Sequence, residues 1–99
     1  HVRDMIYQVL FTNPGERVNR PDFGCGLRQL VFMPNRDVLA ATTQFLVQGA
    51  LQRWLEDVIQ VEQVRVTFKE ERLVVEVVYV RRDTGRRQHD QFLAPGGGA

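Results

Sequence analysis

Leu73-Val74-Val75-Glu76-Val77-Val78-Tyr79-Val80-Arg81-Arg82 is the stretch that decides the fold. Its β-branched and aromatic residues favour an extended chain, in which successive side chains point to opposite faces. One face is then Leu73, Val75, Val77 and Tyr79; the other is Val74, Glu76, Val78 and Val80. An antiparallel strand with one face in water alternates apolar with polar residues, and this one does not. One face is expected to pack on a helix. The other must be covered too, either by the N-terminal helix and loop or by another protein.

Downstream, Asp83-Thr84-Gly85 fits a short hairpin connection with Gly85 supplying positive φ. Arg86 to Leu93 then returns as a third strand, polar except for Phe92 and Leu93. Charge is how natural edge strands avoid random pairing, and an edge is also where a partner chain can add a strand. Upstream, Lys69 to Arg72 is a polar turn, and Val61 to Phe68 alternates with Val64, Val66 and Phe68 on one face. The C-terminal third therefore reads as a three-stranded antiparallel β-meander.

A long helix is predicted before it, from about Arg36 to Glu56. Asn35 is a good N-cap, and Asp37 puts a negative charge in the first turn. One apolar stripe runs Leu39, Leu46, Ala50, Trp54 and its neighbour runs Val47, Leu51, Leu55, so a wide face should be covered. Gly49 sits mid-helix at a cost of about 1 kcal/mol relative to alanine, which implies close packing against another backbone. Val2, Met5, Ile6, Val9 and Leu10 have helical spacing, and Asn13-Pro14-Gly15 stops that first helix near Phe11. Prolines and glycines from Pro14 to Gly26 make an ordered loop, followed by one helical turn from Leu27 to Phe32. The expected class is α+β: N-terminal helix, ordered loop, and a long central helix packed on the meander.

Ninety-nine residues make one domain, expected over residues 1–93, with a disordered Gly-rich tail over 94–99. Hydrophobic residues are 43% of the chain, enough for a modest core, so partners are expected to supply part of its stability. The net charge of +1 gives no general field for nucleic acid or an anionic membrane. Lys69 is the only lysine. Arginine suits bidentate pairing at interfaces, and it is also what a GC-rich genome produces. No signal-peptide pattern and no apolar run of about 18 residues is visible, so no membrane insertion is expected.

Little in the chain points to chemistry. Cys25 is the only cysteine, so no internal disulfide forms. Cys25 with His89 as base lacks a local motif, and His1 and His89 make no zinc cluster. Glu56-Asp57 and Glu70-Glu71 are adjacent carboxylates of the kind usually left in solvent. Gly24-Cys25-Gly26 is too short to cradle a phosphate. Arg81-Arg82 and Arg86-Arg87 form a basic cluster that lacks interleaved aromatics for base stacking, and Asp83 and Asp90 would partly neutralise it. No enzyme activity, metal, cofactor or nucleic acid is expected.

The run Phe11-Thr12-Asn13-Pro14-Gly15-Glu16-Arg17-Val18-Asn19-Arg20-Pro21-Asp22-Phe23-Gly24-Cys25-Gly26-Leu27 is more specific. It closely resembles the signature of the phage baseplate family named for gene product W and gene product twenty-five. The likeness continues through Leu30 to Asn35, Ala50 to Trp54, and the hairpin from Leu73 to Arg87. It covers the chain from about Val2 to Phe92. The resemblance implies a non-enzymatic wedge subunit of a contractile injection system. Such a subunit is expected to act as sheath initiator, six copies in a ring around the tube, templating the first sheath ring by strand pairing. Its implied partners are the sheath protein, other wedge subunits and tube or spike proteins. It would assemble in the bacterial cytoplasm and remain in the particle. A regulatory module that uses the same fold to hold one soluble partner is the alternative.

Residues expected at partner contacts follow from that resemblance and from the polar last strand. Arg17, Arg20, Asp22 and Phe23 match the loop signature. Arg86, Arg87, His89 and Gln91 lie on the last strand or its approach. Many members carry glutamate-proline-arginine after the long helix, where it docks into the wedge's helical core. Here the stretch is Trp54-Leu55-Glu56-Asp57-Val58-Ile59. Glu56 stands near the family's glutamate, but the proline and arginine are absent, so Glu56 and Asp57 alone carry that expectation.

Overall fold

Three strands form one antiparallel sheet in the order β1-β2-β3: β1 is Ile59–Lys69, β2 is Arg72–Arg81 and β3 is Arg87–Leu93. Two α-helices precede it, α1 over Val2–Phe11 and α2 over Arg36–Leu55, with a 3₁₀ helix over Leu27–Phe32 between them. The α+β arrangement expected from the sequence is the one found. The computed structural model describes residues 1–94. Most of the expected Gly-rich tail lies outside these residues. Ala94, its first residue, continues the ladder by donating its N–H to Leu73 O at 3.1 Å.

The inner face of β2 is the centre of the core. Leu73, Val75 and Val77 have no solvent exposure and Tyr79 has 1%. Val61, Val64 and Val66 of β1 and Phe92 of β3 flank them, and α1 and α2 pack over this same face. Burying a Val or Leu side chain fully stabilises by about 1.5–3 kcal/mol, so this strand anchors the fold.

Four sequence expectations need correction. The N-terminal helix does not cover the outer face of β2. That face is half-covered by its own neighbours' side chains, with Val74 buried and Glu76, Val78 and Val80 intermediate. The helix α2 is not widely covered: its buried stripe is only Thr43, Val47, Leu51 and Leu55. Val38, Phe45 and Leu46 remain 77%, 78% and 65% exposed because the sheet lies on one side of the helix alone. Gly49 packs against nothing, since a Cβ built there meets no atom within 4 Å. Asn35 makes no side-chain cap, and its carbonyl instead accepts the Val38 and Leu39 N–H groups.

Two irregularities set the sheet's shape. The β1–β2 turn has only two central residues, Glu70 and Glu71, at φ 54° and 66°. Both lie in the left-handed region, the geometry of a type I′ hairpin, which side chains other than Asn, Asp or Gly rarely adopt. The β1 register shifts between Val61 and Gln63, leaving Glu62 as a bulged residue. The bulge keeps Val61 and Val64 on the buried face, which strict alternation cannot do for residues three apart.

Candidate functional site

The outer strand β3 has one bonded edge and one free edge. The residue pairs Val75–Phe92, Val77–Asp90 and Tyr79–Gln88 stand opposite each other in the register. At the ends of the ladder, Arg81 N–H donates to Arg86 O and Ala94 N–H donates to Leu73 O. Antiparallel ladders alternate bonded and non-bonded pairs. The even-numbered residues of β3 therefore bond β2. The N–H and C=O groups of Arg87, His89, Gln91 and Leu93 point to the free edge. Gln91 O confirms the phase: it accepts from the Arg3 guanidinium of α1 at 2.7 Å, from outside the sheet.

The other edge of the sheet is closed differently. Val66 N–H on β1 points away from β2 and donates to Gln44 Oε1 of α2 at 2.9 Å. With α2 lying along β1, that edge is shielded, whereas β3 borders an open groove of about 630 Å³ lined by Arg3, Tyr7, His89, Asp90, Gln91 and Phe92.

The side chains of β3 divide by parity. Arg87, His89 and Gln91 face outward, away from the helices. Arg87 makes a bidentate pair with Glu62, at 2.6 and 3.2 Å. That hydrogen bond holds the Glu62 carboxyl below its ordinary value and raises the Arg87 guanidinium. His89 Nε2 lies 2.9 Å from Glu76 Oε2. Gln88, Asp90 and Phe92 face the helices. The Tyr79 hydroxyl donates to Asp90 Oδ2 at 2.6 Å, and Arg3 stands 3.7 Å from Asp90 Oδ1. Asp90 thus neutralises none of the hairpin arginines. Arg87 is neutralised by Glu62 and Arg81 by Asp83. Reading residue spacing alone could not find Glu62, because the bulge that aims it at Arg87 leaves no mark in the local sequence. Arg86 is exposed in the turn, its N–H donating to Thr84 Oγ1 at 3.2 Å.

The loop signature forms a second constellation, on the helix side. Phe23 is buried and meets Trp54 edge-on at 5.1 Å between centroids. Arg17 lies 4.3 Å over Phe23, and its guanidinium donates to Gln8 Oε1 at 3.2 Å. Arg20 lies 5.2 Å over Trp54, while Arg53 pairs with Asp22. These contacts fasten the loop to α1 and α2. The glycines next to Cys25 have a local reason. At Gly24, φ is +103° and an added Cβ would stand 2.0 Å from Thr12 O, so only glycine lets the loop lie against the end of α1. Cys25 N–H and Gly26 N–H then donate to Val9 O and Thr12 O at 2.9 and 3.0 Å.

No reacting constellation is assembled from the candidate groups. Burial pushes the Cys25 thiol up to about 11, and Cys25 lies on the helix side of the sheet while His89 faces the other way. Glu56 and Asp57 are exposed at the end of α2, where Glu56 O accepts from Arg82 Nε at 2.6 Å. Glu70 and Glu71 stand at the hairpin tip. The surface hollow beside Glu56 is lined by Gly49, Gln52, Arg53, Ile59, Gln60 and Arg82, with no second carboxylate. Among the described residues no three His, Cys, Asp or Glu side chains are grouped to hold a metal ion. No helix among them is long and apolar enough to cross a membrane.

The family model for baseplate wedge protein gp25 matches residues 1–86, and the chain belongs to that family. Its role is structural, in the baseplate of a tail or tail-like particle. The fold is similar to the crystal structure of a Geobacter sulfurreducens protein provisionally named a tail lysozyme. The two are 31% identical with a TM-score of 0.74, over 93% of this chain and 87% of that one. No curated protein matches the chain.

Proposed function

We propose that this baseplate subunit templates the first sheath ring. The free edge of β3 offers the N–H and C=O groups of Arg87, His89, Gln91 and Leu93 to an extended segment of the sheath protein. Backbone pairing supplies affinity, and the outward side chains of Arg87, His89 and Gln91, with Arg86 at the turn, discriminate among incoming strands. The observation that carries this reading is the outer edge of β3, held among the described residues by the Arg3 side chain alone, opposite an edge that α2 and Gln44 close.

In this role residues 1–93 act as one unit, and six copies stand in a ring around the tube. Glu56 and Asp57, exposed beyond α2, face the other wedge subunits. Arg17, Arg20, Asp22 and Phe23 contribute by holding the loop in the shape those neighbours meet. Assembly takes place in the bacterial cytoplasm, and the subunit stays in the finished particle. The role is non-enzymatic, which the placing of the two carboxylate pairs, Glu56-Asp57 and Glu70-Glu71, at opposite ends of β1 supports. A cryo-EM map of the assembled particle tests the proposal. A sheath strand hydrogen-bonded to Arg87–Leu93 is the expected result; β3 unpaired and distant from the sheath overturns it.

A further inference from the structure

We infer that Arg3 is a displaceable latch on the β3 edge, occupying the place where a partner strand bonds until that strand arrives. This rests on the strand-pairing role proposed above. The Arg3 guanidinium donates to Gln91 O at 2.7 Å, stands 3.7 Å from Asp90 Oδ1 and lies 4.5 Å over the Phe92 ring. The carbonyl it takes is one of those directed away from β2. An incoming strand must bring an N–H to that same oxygen, where the bulky guanidinium now stands, so strand pairing and the Arg3–Gln91 hydrogen bond compete for one place.

The contact is built to yield. The Arg3 side chain is 54% exposed, and its ion pair with Asp90 is long. Exposed pairs of this kind hold weakly. The Asp90 side chain is 22% exposed and accepts the Tyr79 hydroxyl, so releasing Arg3 leaves its carboxylate hydrogen-bonded and within reach of water. The Phe92 ring gives the guanidinium a second resting place while Gln91 O is taken. The guard on the other edge is different: Gln44 is half-buried between α2 and β1, and its bond to Val66 N–H lies under the helix. One edge is therefore closed by packing and the other by a single exposed side chain. Edge strands left open pair indiscriminately, and a charged side chain across the edge suppresses that while still admitting a strand that forms several bonds at once.

The test compares binding of the particle's own sheath protein to the wild-type subunit, Arg3→Ala, Gln91→Pro and the Arg3→Ala/Gln91→Pro double variant. Arg3→Lys serves as a second latch variant, since it keeps charge and stem but cannot span all three contacts. Circular dichroism checks that each is folded. Removing the latch is expected to tighten binding about three- to tenfold, the worth of one ordinary hydrogen bond. Arg3→Lys should show a smaller gain, and Gln91→Pro should abolish the gain along with the binding. Unchanged or weaker binding by both folded Arg3 variants, with Gln91→Pro still disruptive, overturns the latch and leaves the edge reading intact. Binding that is indifferent to Gln91→Pro overturns the edge reading beneath it.

Discussion

The Tyr79 hydroxyl donates to Asp90 Oδ2 at 2.6 Å, joining the most buried strand of the sheet to its exposed edge. Tyr79 is 1% exposed, and its hydroxyl is a donor that Asp90 loses in a phenylalanine variant. Tyr79→Phe is expected to lower stability by about 1–3 kcal/mol, the range for a hydrogen bond to a charged acceptor. Urea denaturation at neutral pH measures it. Burial first, and the bond to Asp90 second, raise the Tyr79 pKa above its ordinary value. A group whose proton is held more tightly in the folded state stabilises fully below the unfolded pKa. For Tyr79 that contribution is lost as pH rises above about 10. The variant should show a shallower alkaline loss of stability than the wild type.

Parity along β3 makes a second prediction. Gln91 directs its N–H to the free edge, so Gln91→Pro removes no ladder bond and is expected to cost less than about 1 kcal/mol. Asp90 bonds β2 and holds Tyr79, so Asp90→Pro should cost about 2–4 kcal/mol. Thermal unfolding of the two variants side by side checks the phase of the ladder. Equal destabilisation would contradict the assignment of the free edge.

Gly49→Ala should stabilise the isolated subunit. The added Cβ meets no atom within 4 Å, and residue 49 is inside α2. Alanine there is worth about 0.5–1 kcal/mol through helix propensity and reduced freedom of the unfolded chain. Chemical denaturation should show the midpoint rising with an unchanged slope.

The β1–β2 turn holds two glutamates at φ 54° and 66°. Replacing them with the residues this turn favours, Glu70→Asn with Glu71→Gly, relieves that strain and is expected to add about 1–2 kcal/mol. The readout is the unfolding midpoint. No gain would mean that the turn is not type I′ in solution.

Cys25 should react slowly. With its thiol pushed up to about 11, only about one molecule in a thousand carries the thiolate at pH 8. Alkylation by iodoacetamide is expected to be far slower in the native protein than in urea. The folded thiol keeps its proton to about 11 against an unfolded value of 9.0. Its contribution to stability is therefore complete below pH 9 and disappears as pH rises through 11.

Much of this molecule is written in local pattern. Runs such as Leu73–Val80 and Val64–Phe68, the turn residues at Asn13-Pro14-Gly15 and Asp83-Thr84-Gly85, and the helical spacing after Asn35 each act within a few residues, so the sequence by itself determined the elements, their order and the α+β class. The loop run from Phe11 to Leu27 pointed to the family as well. Other features depend on which surfaces meet. Whether Leu46 is buried, whether Gly49 touches a backbone and which acid faces Arg87 were decided by where α2 rests and by the bulge at Glu62. The free edge followed the same rule: parity in β3 is set by the pairing of Phe92 with Val75, and only the tertiary structure brings Arg3, 88 residues away in sequence, onto Gln91 O. Local propensity is a property of neighbouring residues, but an edge, a guard and a latch exist only when distant segments are packed together.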